Sequence, residues 1–391
     1  MTSQNHATPS APSLSWLEID AGAYQHNLAE FRRLIGPDRK LMAVVKANAY
    51  GHGLEKIAPL ALRFGADRLG VNSLNEALEL LALELSAPIH LLGPIPMQAL
   101  PAAAGLPLEF TLSTFESLQA LARGAGKSGI RPQCHIKVET GCHRQGFMPE
   151  EIPSVARFFA DHSELQWSGL STHFANIEDT TDHTYARRQI EIFHKVERDL
   201  HALGIQPLLR HTACSAATIV MPETHLDMVR LGIATYGLWP SRETLVSARS
   251  GGSERLPLRP VLTWKTQVAQ IKTVPAQSFI GYGCTFRTTH PTRLAILPVG
   301  YADGYDRRLS GVGHVLVRGR RAPVLGRVCM NMFMVDLTDI EGAAVGDEAV
   351  LLGKQGDEEI SAQDLASLCQ TIVYEIVTRI GGHLDRRVCG L

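Results

Sequence analysis

Lys46 follows a short apolar run, Met42-Ala43-Val44-Val45, and precedes a broken stretch holding Asn48, Tyr50, Gly51 and Gly53. An extended chain alternates its side chains between two faces, so Met42, Val44 and Lys46 are expected on one face. Most lysines at such a place have simply reached solvent at a strand end. An ammonium held against an apolar row instead gives up its proton readily, and the neutral amine forms Schiff bases. Lys137, His173 and Arg230 occupy corresponding places in later segments, and Arg144 lies in a loop just beyond one of them. Gathered together, these groups repel one another unless an anion joins them. The expected ligand therefore carries phosphate, carboxylate or both.

For these side chains to meet, several strand ends must converge. Short apolar runs at Leu41–Lys46, Arg68–Asn72, Ile89–Gly93, Leu108–Leu112, Cys134–Val138, Trp167–His173, Leu208–Thr212 and Met228–Leu231 alternate with helix-length amphipathic stretches. The stretches include Asp20–Ile35, Ser73–Leu85, Phe115–Gly124, Ser154–Asp161 and His183–Leu203. Eight strands separated by helices predict a parallel (β/α)8 TIM barrel, whose C-terminal strand ends form one mouth. A doubly wound open sheet is the alternative, but no glycine-rich dinucleotide turn follows the first strand. Phosphate grips are expected near the seventh and eighth barrel loops, where Ser215, Gly232 and Ile233 lie.

Near Ser250 the composition changes to Ser-Gly-Gly-Ser-Glu, with Pro257 and Pro260 following, as in a domain linker. Beyond it, strand-like segments at Val261–Val274, Arg293–Val299, His314–Val317, Met332–Leu337 and Ala349–Leu352 predict a mostly β domain with a single helix, Ala362–Cys369. Ser361 and Asp364 have the spacing of a capping box for that helix. The fold class expected is thus α/β: a tail over residues 1–13, a barrel over 14–250 and a mostly β domain over 251–391.

Of the 391 residues, 45% are hydrophobic and 20% charged, which describes a soluble globular protein. A net charge of −1 gives no case for nucleic acid or an anionic membrane surface. No apolar run reaches the length of a membrane span, and the polar first 13 residues read as a frayed tail, not a secretory signal. Seven cysteines without a CxxC pair suggest reduced thiols in the cytoplasm. No metal site is expected.

The motifs now resemble one family. AVVKANAYGHG at 43–53 is similar to the alanine racemase signature around the lysine that holds pyridoxal 5′-phosphate. The resemblance continues through KVETGCHRQGF (137–147), GLSTHFAN (169–176), SAATIVMPETHLDMVRLGIATYGLWPS (215–241), GYGCTF (281–286), GYADGYDRRL (300–309), GRVCMN (326–331) and TIVYE (371–375), in family order over nearly the whole chain. It implies that Lys46 is the Schiff-base lysine and one of two proton-transfer bases. Tyr282 is then the second base, on the opposite face of the substrate and delivered by the partner subunit of a head-to-tail homodimer. A free phenol is a poor base near neutral pH, so cations near it would help.

The same resemblance sets Arg230 at the pyridine nitrogen, where most enzymes using this cofactor place an acid. It sets His173 against the ring and His211 behind Arg230. Arg144 meets the cofactor's phenolic oxygen and the substrate carboxylate. Tyr50, Ser215 and Tyr374, with the amides of Gly232 and Ile233, hold the phosphate. Tyr301 and Met330 border the substrate, and Lys137 corresponds to a lysine carbamylated in many relatives. Three places depart from the family's usual residues: Cys214 for Asn, Asn331 for Asp, and the segment GCHRQG for GMGRLG. Asn331 removes a negative charge near the substrate and bears on side-chain preference. Cys214, beside Ser215 and near cations, is expected to favour the reactive thiolate, whereas Cys284 and Cys329 are expected to be small apolar fillers.

The activity implied is interconversion of L- and D-alanine, supplying D-alanine for peptidoglycan. A serine or broad-specificity racemase on the same scaffold is the alternative. A decarboxylase of this fold would carry an acid in place of Arg230, and a non-catalytic cofactor-binding protein would lack the second domain and Tyr282.

Overall fold

The computed structural model describes residues 13–205, 209–250 and 256–390. The tail at 1–12, Leu208 and most of the Ser-Gly-Gly-Ser-Glu linker lie outside the described residues. The chain divides into two compact units, one spanning Asp20–Val261 and the other combining the segment before Asp20 with Leu262–Cys389.

Strand β1, Ser15–Asp20, opens the chain. The first unit is built on eight parallel strands: β2 (Lys40–Val44), β3 (Arg68–Val71), β4 (Ile89–Leu91), β5 (Leu108–Leu112), β6 (Gln133–Lys137), β7 (Gln166–Ser171), β8 (Leu209–His211) and β9 (Met228–Leu231). Their order runs β8-β7-β6-β5-β4-β3-β2-β9. The two ends of this sheet meet where the Arg230 amide donates to the Ala213 carbonyl at 3.0 Å, so the barrel is nearly closed. All eight strands coincide with runs read from the sequence, displaced by no more than two residues at either end. Strand β2 stops at Val44, before Lys46, because the chain turns sharply there.

The helices start where their caps dictate. Asp20 caps Ala21–Ile35 by accepting from the Ala23 amide at 2.8 Å, and Gly36, at φ 80°, ends it. Ser73 and Glu76 form a capping box on Leu74–Leu81. Two glycines make room inside the barrel. A Cβ on Gly169 would lie 2.2 Å from Nδ1 of His135, and one on Gly70 would lie 2.7 Å from the Met42 sulfur. Among the described residues, no helix is long and apolar enough to cross a membrane.

The second unit is an antiparallel sheet in which β1 pairs with β10, Leu262–Gln267, with Leu17 opposite Trp264. Residues 14–19, expected with the barrel, therefore belong to this sheet, where their alternating apolar side chains gain a buried face. The stretch Val261–Val274 forms two strands, β10 and β11 (Gln270–Val274). Strands at Arg320–Leu325, Glu358–Ile360 and Asp385–Cys389 were not anticipated, being interrupted by proline or charge. The expected single helix is present at Ala362–Leu368 with its Ser361–Asp364 box, and a second, Val373–Thr378, follows it. Tyr305 stacks on Phe333 with ring centroids 4.6 Å apart in the buried core of this unit.

Candidate active site

Lys46 sits at the start of a turn of inverted hand. Ala47, Asn48, Ala49 and Tyr50 all have φ near +53°, a left-handed conformation that costs L-residues roughly 1–2 kcal/mol each. The surroundings hold it. Glu76 accepts from the Ala47 amide at 2.6 Å, Asn48 Oδ1 accepts from the Leu54 amide at 2.8 Å, and His52 Nδ1 lies 2.9 Å from the Tyr50 carbonyl. The Tyr236 hydroxyl donates to the Val44 carbonyl at 3.1 Å, and its ring packs against both Tyr50 and His52. The lysine is thereby fixed at the C-terminal mouth of the barrel.

Lys137, Arg144, His173 and Arg230 converge on the same mouth. Arg230 is buried, and its two terminal nitrogens are fully engaged. Nη1 donates to His211 Nδ1 at 2.9 Å and to the His211 carbonyl at 2.6 Å, while Nη2 donates to the carbonyls of Thr172 and Thr212 at 2.8 and 3.0 Å. His173 Nδ1 lies 3.4 Å from Nη2. Burial, then the nearby Arg144, lowers the Lys46 ammonium below its usual range, and the carboxylates of Glu76 and Glu178 oppose that. Burial and the cations Arg230 and Arg144 bring Lys137 down to about 8. Burial and Arg230 hold His173 and His211 well below the ordinary imidazole range, hence neutral. Arg230 itself is lowered by burial to about 10 and stays cationic at neutral pH.

Beside this cluster lies a tight cradle. A Cβ on Gly232 would lie 2.4 Å from the Tyr50 hydroxyl oxygen, and the Gly232 amide donates to Ser215 Oγ at 3.0 Å. Ile233, the next residue, is buried at the start of a 3-10 turn. Tyr50, Ser215, Gly232 and Ile233 are thus brought together, at the ends of β8 and β9.

The remaining expected site residues lie in the second unit. Tyr282 is 73% exposed there, on a loop whose backbone Gly281 (φ 73°), Gly283 (φ 74°) and Cys284 (φ 48°) carry through the left-handed region. The segments carrying Tyr301 and Met330 are joined by backbone bonds: the Tyr301 amide donates to the Cys329 carbonyl at 3.1 Å and the Ala302 amide to the Met330 carbonyl at 3.0 Å. Tyr301, Met330 and Asn331 are exposed, and Tyr374 is partly buried on Val373–Thr378.

The chain matches the family model "Alanine racemase, N-terminal domain" over residues 19–240 and "Alanine racemase, C-terminal domain" over 261–388. It belongs to the alanine racemase family. A relative named alanine racemase from Leptospira interrogans is 39% identical over 376 residues, covering 96% of this chain and 95% of its own. The structure of alanine racemase from Bacillus anthracis with bound L-Ala-P is 35% identical with a TM-score of 0.90, covering 98% of this chain and 97% of that one. That of alanine racemase from Bartonella henselae with covalently bound pyridoxal phosphate is 27% identical with a TM-score of 0.83, covering 97% and 100%. Alanine racemases are isomerases that depend on pyridoxal phosphate.

Among this racemase chain's departures from its family, Cys214 does not have the expected reactive surroundings. Burial, then the Glu178 carboxylate, pushes its thiol up to about 12, and Sγ points at Glu178 Oε1, 3.9 Å away. The amides near Ala217 are too weak to reverse this. Cys284 is exposed and Cys329 partly so, so neither is a core filler. Sequence reasoning also missed the acids. Glu139 accepts from the amides of Gly141 and Arg144 at 2.6 and 3.2 Å and so shapes the loop that carries Arg144. Glu76 and Glu178 face the lysine. The capping-box spacing at Ser73 was the one available signal for Glu76. Nothing local marks the other two.

Proposed function

We propose that this chain is a pyridoxal-phosphate-dependent racemase that interconverts L- and D-alanine with two bases, Lys46 and Tyr282. The observation that supports it best is the cluster of Lys46, Lys137, Arg144 and Arg230, positive groups gathered around one desolvated amine. Such a set suits a ligand carrying phosphate and a phenolate. The cradle of Tyr50, Ser215, Gly232 and Ile233 suits the phosphate, for which Tyr374 is a further candidate. Arg230, its terminal donors engaged by the barrel, keeps its Nε–H for the ring nitrogen.

When bound, pyridoxal phosphate supplies an aldehyde that an amine attacks and a ring that withdraws the electrons left by a departing α-proton. Lys46 would hold the group covalently and, once the substrate's own amine had displaced it, would as a neutral amine take or return that proton on one face. Tyr282 would do so on the other, and two opposed bases spare either from crossing the ring. The Arg230 cation would keep a proton off the ring nitrogen, which would limit the withdrawal and favour return of the proton to the α-carbon. His173 would lie against the ring, Arg144 would hold the phenolate and the substrate carboxylate, and Tyr301, Met330 and Asn331 would border the side chain.

Exposure of Tyr282 within its own unit fits delivery from the partner subunit of a head-to-tail homodimer. A cytoplasmic enzyme supplying D-alanine for peptidoglycan is the corresponding role. A neutral fraction of Lys137 near pH 8 suits carbamylation, in which the amine nitrogen bonds to carbon dioxide and releases one proton. The resulting anion then steadies Arg144. The deciding experiment is chiral product analysis on L-alanine, L-serine and L-lysine with cofactor added, for wild type and Lys46→Ala. D-alanine formed by wild type alone supports the reading. D-serine or D-lysine as the main product makes it a racemase of different preference, and no enantiomer at all makes the chain a cofactor-binding protein.

A further inference from the structure

A row of polar side chains crosses the interior of the barrel and ends at Arg230; its members are hydrogen-bonded except between Glu109 and His135, which meet at ion-pair distance. Arg68 Nε donates to Glu109 Oε1 at 3.2 Å. His90 Nδ1 lies 3.2 Å from Glu109 Oε2, and His90 Nε2 lies 2.8 Å from Thr111 Oγ1. His135 Nε2 lies 3.8 Å from the same carboxylate oxygen, while its Nδ1 lies 2.9 Å from His211 Nε2. His211 Nδ1 faces Arg230 Nη1 at 2.9 Å. All three imidazoles and Glu109 are buried.

The row has one self-consistent arrangement of protons. Arg230 can only donate, so Nδ1 of His211 must be bare and its proton lies on Nε2. That proton points at Nδ1 of His135, which must accept, placing the His135 proton on Nε2, toward Glu109. A carboxylate is the acceptor this end requires. Burial alone would raise the Glu109 carboxyl, but the hydrogen bond from His90 and the nearby Arg68 guanidinium hold it below the ordinary carboxylate range. Burial holds His90, His135 and His211 below the ordinary imidazole range, so each ring carries one proton and the row has a direction. The imidazoles are also close enough to share a metal ion, but each ring nitrogen already faces a protein partner.

We infer that Glu109 is a positioning residue for Arg230: its carboxylate fixes the tautomers of His135 and His211 and so keeps a bare nitrogen facing the guanidinium. What Arg230 faces on its other side rests on the proposed racemase reading; the tautomers do not. With a glutamine at 109, the side-chain amide presents a donor to one imidazole. The His135 proton then moves to Nδ1 and collides with that of His211, whose own proton moves to Nδ1 and meets the donors of Arg230.

The test is nitrogen NMR on the full-length protein labelled at histidine and arginine nitrogens, with and without pyridoxal phosphate. In the wild type, His211 and His135 are each expected as the single Nε2–H tautomer. Glu109→Gln should move the His211 proton to Nδ1, in whole or part, and shift the Arg230 Nε resonance; Glu109→Asp should restore the original tautomers. Should Glu109→Gln not fold, His135→Leu and His135→Gln decide the matter. Leucine breaks the relay and releases His211, whereas a glutamine amide accepts from His211 and donates to Glu109. Racemase kcat should fall roughly tenfold in Glu109→Gln with KM little changed, the size of one lost charge-assisted hydrogen bond. An unchanged His211 tautomer in Glu109→Gln, or in His135→Leu, overturns the inference. Absence of racemase activity in the wild type would overturn the functional reading and leave the tautomer result standing.

Discussion

The Tyr50 hydroxyl oxygen occupies the space that a side chain at position 232 would need, 2.4 Å from where its Cβ would lie. The turn after Lys46 and the end of β9 are therefore interlocked through the absence of one methyl group. Gly232→Ala should push the Tyr50 ring aside and loosen the phosphate cradle. We expect a stability loss of about 1–3 kcal/mol and weaker retention of pyridoxal phosphate, followed by dialysis and absorbance. Undiminished retention in a variant whose Tyr50 has moved would remove Tyr50 from the phosphate grip.

Tyr282→Phe should separate the two hands of substrate. Exchange of the α-proton with solvent is expected to persist for the enantiomer served by Lys46 and to vanish for the other, measured by deuterium incorporation in single half-reactions. Equal losses for both enantiomers would be incompatible with two bases.

Sharing of each site between subunits predicts complementation. Inactive Lys46→Ala and inactive Tyr282→Phe proteins, once their subunits have exchanged, should recover about a quarter to a half of activity through hybrid dimers with one intact site. Verified exchange with no recovery would put both groups in one chain.

Lys137 makes a pH-dependent prediction with a definite sign. Its folded value, about 8, lies below the ordinary 10.5, so the folded state releases this proton first. Protonated Lys137 weakens the fold at and below pH 8, and stability is regained as pH rises from about 8 toward 10.5. Denaturation midpoints across that range should rise more in the wild type than in Lys137→Met. With labelled bicarbonate, a carbamate carbon signal should grow over the same range and be absent from the variant. Identical pH profiles for the two proteins would refute the assignment.

Cys214 should be unreactive. With its thiol raised to about 12, small thiol reagents are expected to leave Cys214 unmodified in apoenzyme and holoenzyme alike, and Cys214→Asn should not alter the inactivation rate of either. Rapid inactivation of the apoenzyme that Cys214→Asn abolishes would mean the thiolate forms after all.

The barrel was legible because a buried parallel strand writes itself as a short apolar run between helices, and eight such runs recur in this chain. The basic residues at the strand ends were legible for the same reason, since each stands against that pattern. The left-handed turn at 47–50 was not. Ala47 and Ala49 carry no sign of positive φ, and only tertiary bonds from Glu76, Asn48 and Tyr236 impose it. Buried polar groups on the strands, such as His90 and Glu109, were likewise silent, because whether a polar residue in a strand faces inward depends on its neighbours. Cys214 misled for a related reason: proximity to cations in sequence says nothing of how deeply a thiol is buried.

Strand β1 pairs with β10 across the 241 residues from 21 to 261, and the Asp20 amide donates to the Val261 carbonyl at 2.9 Å. Topologically the barrel is thus an insertion within the β unit, entered and left at adjacent points. As the chain leaves the ribosome, the barrel can fold as soon as Val261 emerges. Strand β1 must meanwhile wait, unpaired, until β10 emerges directly behind the barrel. The short β1 limits what that open edge can capture.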